Sequence, residues 1–236
     1  MNDVIAILMA AGLGTRMRPL TDNLPKPLVK VLGCPMIETV IEALKTRGIS
    51  KIYIVTGYLG EKFYYLASKY EGITFIENKE YLTVNNISSI HAAADIMGKS
   101  DCFICEADLY IPDPSSLNAE HRGSCYYGKM VEGHSDDWCF GQDKDGRICR
   151  IGKGGDNCYN MCGISYFVRE DAEKIARAVK ERYDHPGYED LFWDEVVDLL
   201  LDDIDLHVHP VEPGSIIEID TVEELKEVES RYRHES

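Results

Sequence analysis

Apolar positions recur along the chain with two periods. Residues 4–8 (Val-Ile-Ala-Ile-Leu) form a short apolar run suited to a strand buried on both faces, and residues 52–55, 73–76 and 103–105 read as further buried strands. Between the first two, Met36, Ile37, Val40, Ile41 and Leu44 keep helical spacing, which predicts a helix over 36–47 closed by Gly48 as its C-cap. A second helix is expected over about 61–70 and a third from Asn86 to about residue 97. Strand, helix, strand, helix, strand is an alternation that implies a parallel sheet. From Gly123 the pattern changes to antiparallel strands over 124–130, 138–142, 147–151 and 161–168, with Asp143-Lys144-Asp145-Gly146 as a hairpin turn. Helices over 171–183 and 190–201, short strands over 206–211 and 216–219, and a helix over 222–232 complete the order. No internal repeat or low-complexity linker interrupts it. The expected fold is α/β, with a Rossmann-like mixed, mainly parallel sheet and helices on both faces. It forms one domain over 1–236, with a small antiparallel lobe inserted at roughly 123–168.

Charge and cysteine usage narrow the partners. With 41 acidic against 25 basic residues, the net charge of −16 repels nucleic acid and anionic membrane surfaces and suits a small cationic partner. Much of that charge also serves solubility alone. The apolar stretch at 4–11 is too short to span a bilayer and follows no basic segment, so a cytoplasmic protein without membrane partners is expected. Its 8 cysteines are scattered, mostly in apolar surroundings, which fits a reducing compartment. Cys102 and Cys105 have a metal-ligand spacing, but in an extended strand they face opposite sides, so they read as core. His207 and His209 share a strand face without a third ligand nearby in sequence; they are expected on an exposed edge strand, with no function assigned.

The candidate chemistry begins directly after the first strand. Gly12 and Gly14 let the backbone turn tightly and present N–H groups to an anion, while Arg16 and Arg18 add positive charge. Such a loop predicts a nucleotide; the alternative is a tight turn with incidental arginines. The dinucleotide fingerprint is excluded because Gly12-Leu13-Gly14-Thr15-Arg16-Met17 lacks its third glycine, and no Gly-Lys-Ser/Thr follows as in a P-loop. Asn85, Asn86 and Ser88 either cap the helix they precede or read the edge of a pyrimidine. Asp108, at the carboxyl end of a strand, is a metal-ligand candidate, or else a cap for Pro112-Asp113-Pro114.

Ala10-Ala11-Gly12-Leu13-Gly14-Thr15-Arg16, continued by Pro19-Leu20-Thr21 and followed by Pro25-Lys26-Pro27-Leu28, resembles the nucleotidyltransferase signature. Glu106-Ala107-Asp108, Asp136-Asp137-Trp138, Asp190-Leu191-Phe192-Trp193-Asp194 and Ser215-Ile216-Ile217-Glu218-Ile219-Asp220 extend the likeness over nearly the whole chain. Within that group the sequence resembles the small bacterial CTP:phosphocholine cytidylyltransferases of the LicC type. The resemblance implies a nucleotide-diphospho-sugar transferase-like fold and transfer of CMP from CTP to a small phospho-amine, releasing pyrophosphate. It implies a nucleotide cradle formed by Leu8, Ala10, Ala11, Gly12, Gly14 and Thr15, with Asn85, Asn86, Ser88 and Ala107 completing the pocket. Arg16 and Lys26 would neutralise the pyrophosphate, and Asp108 and Asp220 would hold Mg²⁺.

On the acceptor side the resemblance maps an ammonium pocket onto Trp138, Phe192, Asp194 and Glu218, with Trp193 either joining it or serving as core. A quaternary ammonium donates no hydrogen bond, so aromatic faces and nearby carboxylates would hold it. Lys153 is expected either on the acceptor phosphate or free in solvent. Where this chain has Phe192 the family often has tyrosine, which bears on the choice among choline, ethanolamine and related phosphates or phosphonates. Phosphocholine is the expected acceptor. A sugar-1-phosphate nucleotidyltransferase and a non-catalytic nucleotide-binding regulator remain as alternatives. Oligomeric state is left open, a homodimer being one option.

Overall fold

The structure, a computed structural model, describes residues 4–233. Strand β1 (Val4–Ala10) lies inside the sheet, and its side chains divide by period two. Ile5 and Ile7 enter the hydrophobic core on one face, whereas Ala6, Leu8 and Ala10 enter the core on the other. A small hairpin of β2 (Lys30–Val31) and β3 (Cys34–Pro35) leads into α1 (Met36–Thr46), and Gly48 takes the left-handed conformation just past its end. Next come β4 (Lys51–Thr56), α2 (Leu66–Lys69), β5 (Ile73–Glu77), α3 (Ile87–Ala93), β6 (Asp101–Glu106) and β7 (Leu109–Tyr110). The remainder comprises β8 (Ser124–Gln142), β9 (Ile148–Phe167), α4 (Arg169–Arg182), α5 (Trp193–Asp198), β10 (Leu206–Pro210), β11 (Ile217–Glu218) and α6 (Val222–Arg233).

The seven-stranded sheet runs in the order β10-β8-β9-β6-β1-β4-β5. β6, β1, β4 and β5 are parallel, β9 runs antiparallel to both β6 and β8, and β10 lies parallel to β8 at the edge. Helices α3, α4 and α5 cover one face and α1 the other, while α6 packs Leu225 and Val228 onto a third apolar cluster with Val29, Val31 and Tyr110. The inserted segment is continuous with this sheet. β8 and β9 form one long bulged hairpin that folds back on itself, so that Cys139 pairs with both Asn160 and Gly152.

Three expected elements differ in extent. In place of one helix over 61–70 there is a 3₁₀ turn (Gly60–Phe63) and then the short α2, because Phe63-Tyr64-Tyr65 is a poor helical run and Phe63 is buried in the core. α3 stops at Ala93, and the chain turns on to Gly98, which has a left-handed φ. α5 starts only at Trp193: the amide of Asn85 donates to the Asp190 carbonyl, and the Phe192 N–H donates to Glu195 Oε2, which holds 190–192 outside the helix. Cys102 and Cys105 are buried on opposite faces of β6. His207 is exposed on the edge strand β10, but His209 is half-buried, its ring packed 4.7 Å from that of Tyr127.

Candidate active site

Strand order sets the position of the cleft. From β1 the chain moves to β4 and β5 on one side and then returns to β6 on the other, so β1 and β6 flank a topological switch point. A cleft of about 480 Å³ opens beyond their carboxyl ends. Residues 10–16 form its first wall. A Cβ on Gly12 would meet open space, whereas one on Gly14 would lie 2.6 Å from Lys26 Cβ, and Gly14 has a φ of +60°. Glycine is thus required at 14 both for its backbone conformation and for the approach of Lys26.

Asn78, Tyr81, Val84, Asn85, Asn86, Ser88 and Ser89 line the opposite wall. Asn78 donates from Nδ2 to Ser88 Oγ (2.8 Å) and Ser89 Oγ (3.2 Å). Asn85 Oδ1 accepts from the Asn86 N–H and Asn86 Oδ1 from the Trp193 N–H, so both oxygens tie this wall to its surroundings.

The floor carries the charge. Lys26, 7% exposed, places Nζ 2.5 Å from both Asp108 Oδ2 and Asp220 Oδ1, and Arg16 Nη2 reaches Asp220 Oδ1 at 2.8 Å. Burial alone would lower the pKa of Lys26, but Asp108 and Asp220 outweigh it and lift the ammonium to about 12. Burial likewise opposes ionisation of Asp220, yet hydrogen bonding to Lys26 and the charges of Lys26 and Arg16 hold its carboxyl below the usual range. Glu218 is exposed on the cleft, where desolvation by the surrounding walls, and then the charges of Asp108 and Asp220, push its carboxyl up to about 8. Glu106 is pushed well upward by desolvation and by Glu218, Asp108 and Asp194.

Of the residues expected at the nucleotide, Ala10, Ala11, Gly12, Gly14, Thr15, Arg16, Lys26, Asn85, Asn86 and Ser88 line this cleft. Leu8 and Ala107 do not: both are fully buried beneath it, since Leu8 packs into the core facing α1 and the Ala107 N–H donates to the Met9 carbonyl. The acceptor set is distributed rather than gathered. Glu218 stands on the cleft floor. Trp138, Lys153 and Phe192 line a second cavity of about 730 Å³, with the two rings 5.3 Å apart and the Lys153 ammonium 6.0 and 5.8 Å from their centres. Trp193 is buried against Tyr126 and Phe167. Asp194 is 4% exposed, accepts from the Tyr126 hydroxyl at 2.8 Å, and is driven by desolvation to a pKa of about 7.

Asn78, Tyr81 and Ser89 line the cleft without having been assigned a role from the sequence, and Glu106, there only part of the Glu106-Ala107-Asp108 motif, lines it as well. For Asn78 a signal exists: it directly follows β5, as Asp108 closely follows β6, so the strand-end rule points to it. Tyr81 carries none; its ring packs where a Cβ on Gly57 would stand, 2.7 Å away.

The donor set suits Mg²⁺. Two carboxylate oxygens already converge on one cationic nitrogen, and Mg²⁺ binds through one or two carboxylates while leaving its other positions to water and phosphate oxygens. Among the described residues no larger group of His, Cys, Asp and Glu forms an all-protein cage for a metal.

Residues 5–124 match the family described as Nucleotidyl transferase. The chain belongs to that family and, on identity over nearly its full length, to its cytidylyltransferases. It is 50% identical to the 2-aminoethylphosphonate cytidylyltransferase of Lancefieldella rimae over 96% of this chain and 92% of that one. It is 34% identical to the choline-phosphate cytidylyltransferase of Streptococcus pneumoniae over 98% and 99%. The solved structure of the S. pneumoniae CTP:phosphocholine cytidylyltransferase superposes with a TM-score of 0.89 over 98% of this chain and 99% of that one. An inositol-1-phosphate CTP transferase from T. maritima, 21% identical, shares the fold with a TM-score of 0.74 over 97% and 96%.

Proposed function

We propose that the protein transfers CMP from CTP to 2-aminoethylphosphonate, or to a phospho-amine of the same size bearing a primary ammonium, and that it works in the cytoplasm with Mg²⁺. The choice of amine rests on Lys153. Its ammonium stands over both Trp138 and Phe192, so the aromatic pair that would suit a quaternary ammonium is already engaged by a cation of this chain. The carboxyls at the cleft, by contrast, offer acceptors that a primary ammonium can use and a trimethylammonium cannot. The 50% identical relative, named for 2-aminoethylphosphonate, supports the same choice. A sugar phosphate is disfavoured because it brings no positive charge to offset the carboxyls clustered on the cleft floor.

In this reading the loop at 10–16 holds the triphosphate through backbone N–H groups, and the wall at 78–89 holds the base. One oxygen of the acceptor phosphonate attacks the α-phosphorus of CTP in line. A new P–O bond forms while the bond to the β-phosphate oxygen breaks, and pyrophosphate leaves with that electron pair. Lys26 and Arg16 lie beside the carboxylates and meet the charge that builds on the leaving group. Mg²⁺ held by Asp108 and Asp220 would supply charge neutralisation and alignment of the phosphates. No general base is required, because the phosphonate is largely ionised near neutral pH.

The test is a panel: CTP, Mg²⁺ and, separately, 2-aminoethylphosphonate, phosphoethanolamine, phosphocholine and glucose-1-phosphate, scored by pyrophosphate release. 2-Aminoethylphosphonate should give the highest kcat/KM. A higher value with phosphocholine or the sugar phosphate overturns the amine assignment, and a preference for GTP or dTTP over CTP overturns the donor.

A further inference from the structure

All 8 cysteines are free thiols, and two of them meet on the bulged hairpin, away from the nucleotide cleft. Cys139 on β8 pairs with Asn160 on β9, and Cys158, two residues before Asn160, shares its side of the strand. The thiol of Cys158 is in hydrogen-bond contact with that of Cys139. Asn160 fixes one end of this arrangement: its Nδ2 donates to Ser135 Oγ at 2.8 Å, which leaves Oδ1 to face Cys158 Sγ, 4.0 Å away. Arg150 fixes the other. Its Nη1 lies 3.9 Å from Cys139 Sγ, and its guanidinium is anchored by donating to the Gly154 and Lys153 carbonyls.

The backbone leaves room for both sulfurs at one place. A Cβ on Gly155 would stand 2.8 Å from Cys139 Sγ and 2.9 Å from Cys158 Sγ, so a side chain there would drive the two thiols out of position. Access to them differs. Cys139 is 1% exposed, whereas Cys158 is half-buried and open to a small molecule from solvent. Burial, with Cys139 alongside, pushes the Cys158 thiol up, so the pair rests as thiols. The transfer of CMP uses neither group.

We propose that Cys139 and Cys158 form a redox modification site, a dithiol that closes to an intramolecular disulfide on meeting a small disulfide of the glutathione class and reopens in excess thiol. Cys158, the accessible sulfur, gives its proton to solvent and attacks one sulfur of the small disulfide; a mixed disulfide forms and one small thiolate leaves. Cys139 Sγ then gives up its proton and attacks the Cys158 sulfur, with the Arg150 guanidinium meeting its negative charge. The bond between the two residues forms and the second small thiolate leaves. The protein has lost two electrons and two protons, and the small disulfide has become two thiols. A disulfide needs its sulfurs about 2 Å and its Cβ atoms about 4 Å apart, a span that thiols already in contact close by small side-chain rotations. The bond joins positions 19 apart across the fold-back of the hairpin. The loop it closes carries Gly152 and Lys153, which wall the second cavity together with Trp138, so oxidation fastens that wall. In a reducing compartment such bonds are transient and redox-sensing.

The experiment uses the full chain, reduced and then incubated with oxidised glutathione, and follows it by peptide mapping without reductant and by thermal melting. In wild type, the peptides holding Cys139 and Cys158 should appear joined, two hydrogens lighter than the separate pair, while the exposed Cys149 takes a glutathione adduct. Cys149→Ser should form the same link, and its melt is free of any adduct on the exposed thiol. Its Tm should rise by roughly 5 °C or more on oxidation, as closing a loop of this length does in a chain of this size, and dithiothreitol should reverse the rise. Cys139→Ala should stop at a glutathione adduct on Cys158, and Cys158→Ala should leave the buried Cys139 unmodified. Absence of the link once Cys149 is fully modified, a link that includes Cys149, or a link that forms only in denaturant would overturn the proposal. A Tm unchanged or lowered by the link would overturn the fastening of the wall.

Discussion

Replacing Lys26 by methionine removes the cation that joins Asp108 to Asp220 while keeping the volume of the stem. With Nζ 2.5 Å from each carboxylate oxygen, those two oxygens are no more than about 5 Å apart. Two unit charges at that separation repel by about 3 kcal/mol at an effective dielectric near 20. Both carboxylates are partly open to water, with side chains 23% and 18% exposed, and Arg16 still reaches Asp220, so part of that repulsion is screened. A net destabilisation of roughly 1–2 kcal/mol in EDTA is expected, which for a chain of this size is a fall in Tm of about 2–8 °C. Mg²⁺ should reverse this and raise the Tm of the variant more than that of wild type, because the pair no longer has an ammonium competing for it. Turnover should not return: loss of a positioned charge at the leaving group costs on the order of 10²-fold or more in kcat. Thermal melts with and without Mg²⁺, together with pyrophosphate release at saturating substrates, read both arms. Turnover within tenfold of wild type, or a Tm in EDTA unaffected by the change, would refute the view that Lys26 links the carboxylate pair to catalysis.

Asp194→Asn should alter the pH dependence of stability. Desolvation pushes the buried carboxyl up to about 7 in the fold against an ordinary value of 3.8, so between those values the folded state holds a proton that the unfolded chain releases. Stability from this group is therefore lost as pH rises from about 4 to 7, and the asparagine variant should gain in Tm relative to wild type across that window; a constant difference from pH 4 to 8 would contradict the burial argument. Trp138→Ala removes a ring that touches Phe192 and Lys153 but does not line the main cleft, so KM for 2-aminoethylphosphonate should change less than about threefold, well under one desolvated cation–π contact. A rise of tenfold or more confined to the acceptor would move the ammonium onto the aromatic pair.

The parts of this site that were legible in the sequence are those whose geometry follows from local rules. A buried strand followed by Gly12 and Gly14 points to the loop that lines the cleft, because glycine spacing and strand ends fix where the backbone can turn. Asp108 was legible for the same reason, as the residue just beyond a buried strand. What could not be read is how separate segments meet. Trp138 and Glu218 are far apart in sequence, and whether they share a pocket depends on the fold-back of the β8–β9 hairpin, whose bulges have no unambiguous sequence signal. Phe192 and Trp193 are adjacent, yet one faces a cavity and the other the core, because residues 190–192 are held outside the helix by hydrogen bonds from Asn85 and to Glu195. Glu106 is the sharpest instance. In the sequence it closes a buried strand within Glu106-Ala107-Asp108, a motif that carries the family likeness, yet nothing there says that its side chain lines the cleft. Its side chain lies against the left-handed Gly163, 57 positions on, where a Cβ would stand 2.7 Å from Glu106 Oε2 and 3.2 Å from Leu109 Cδ2. A contact between residues of two distant strands can be found only once the strands have been laid side by side.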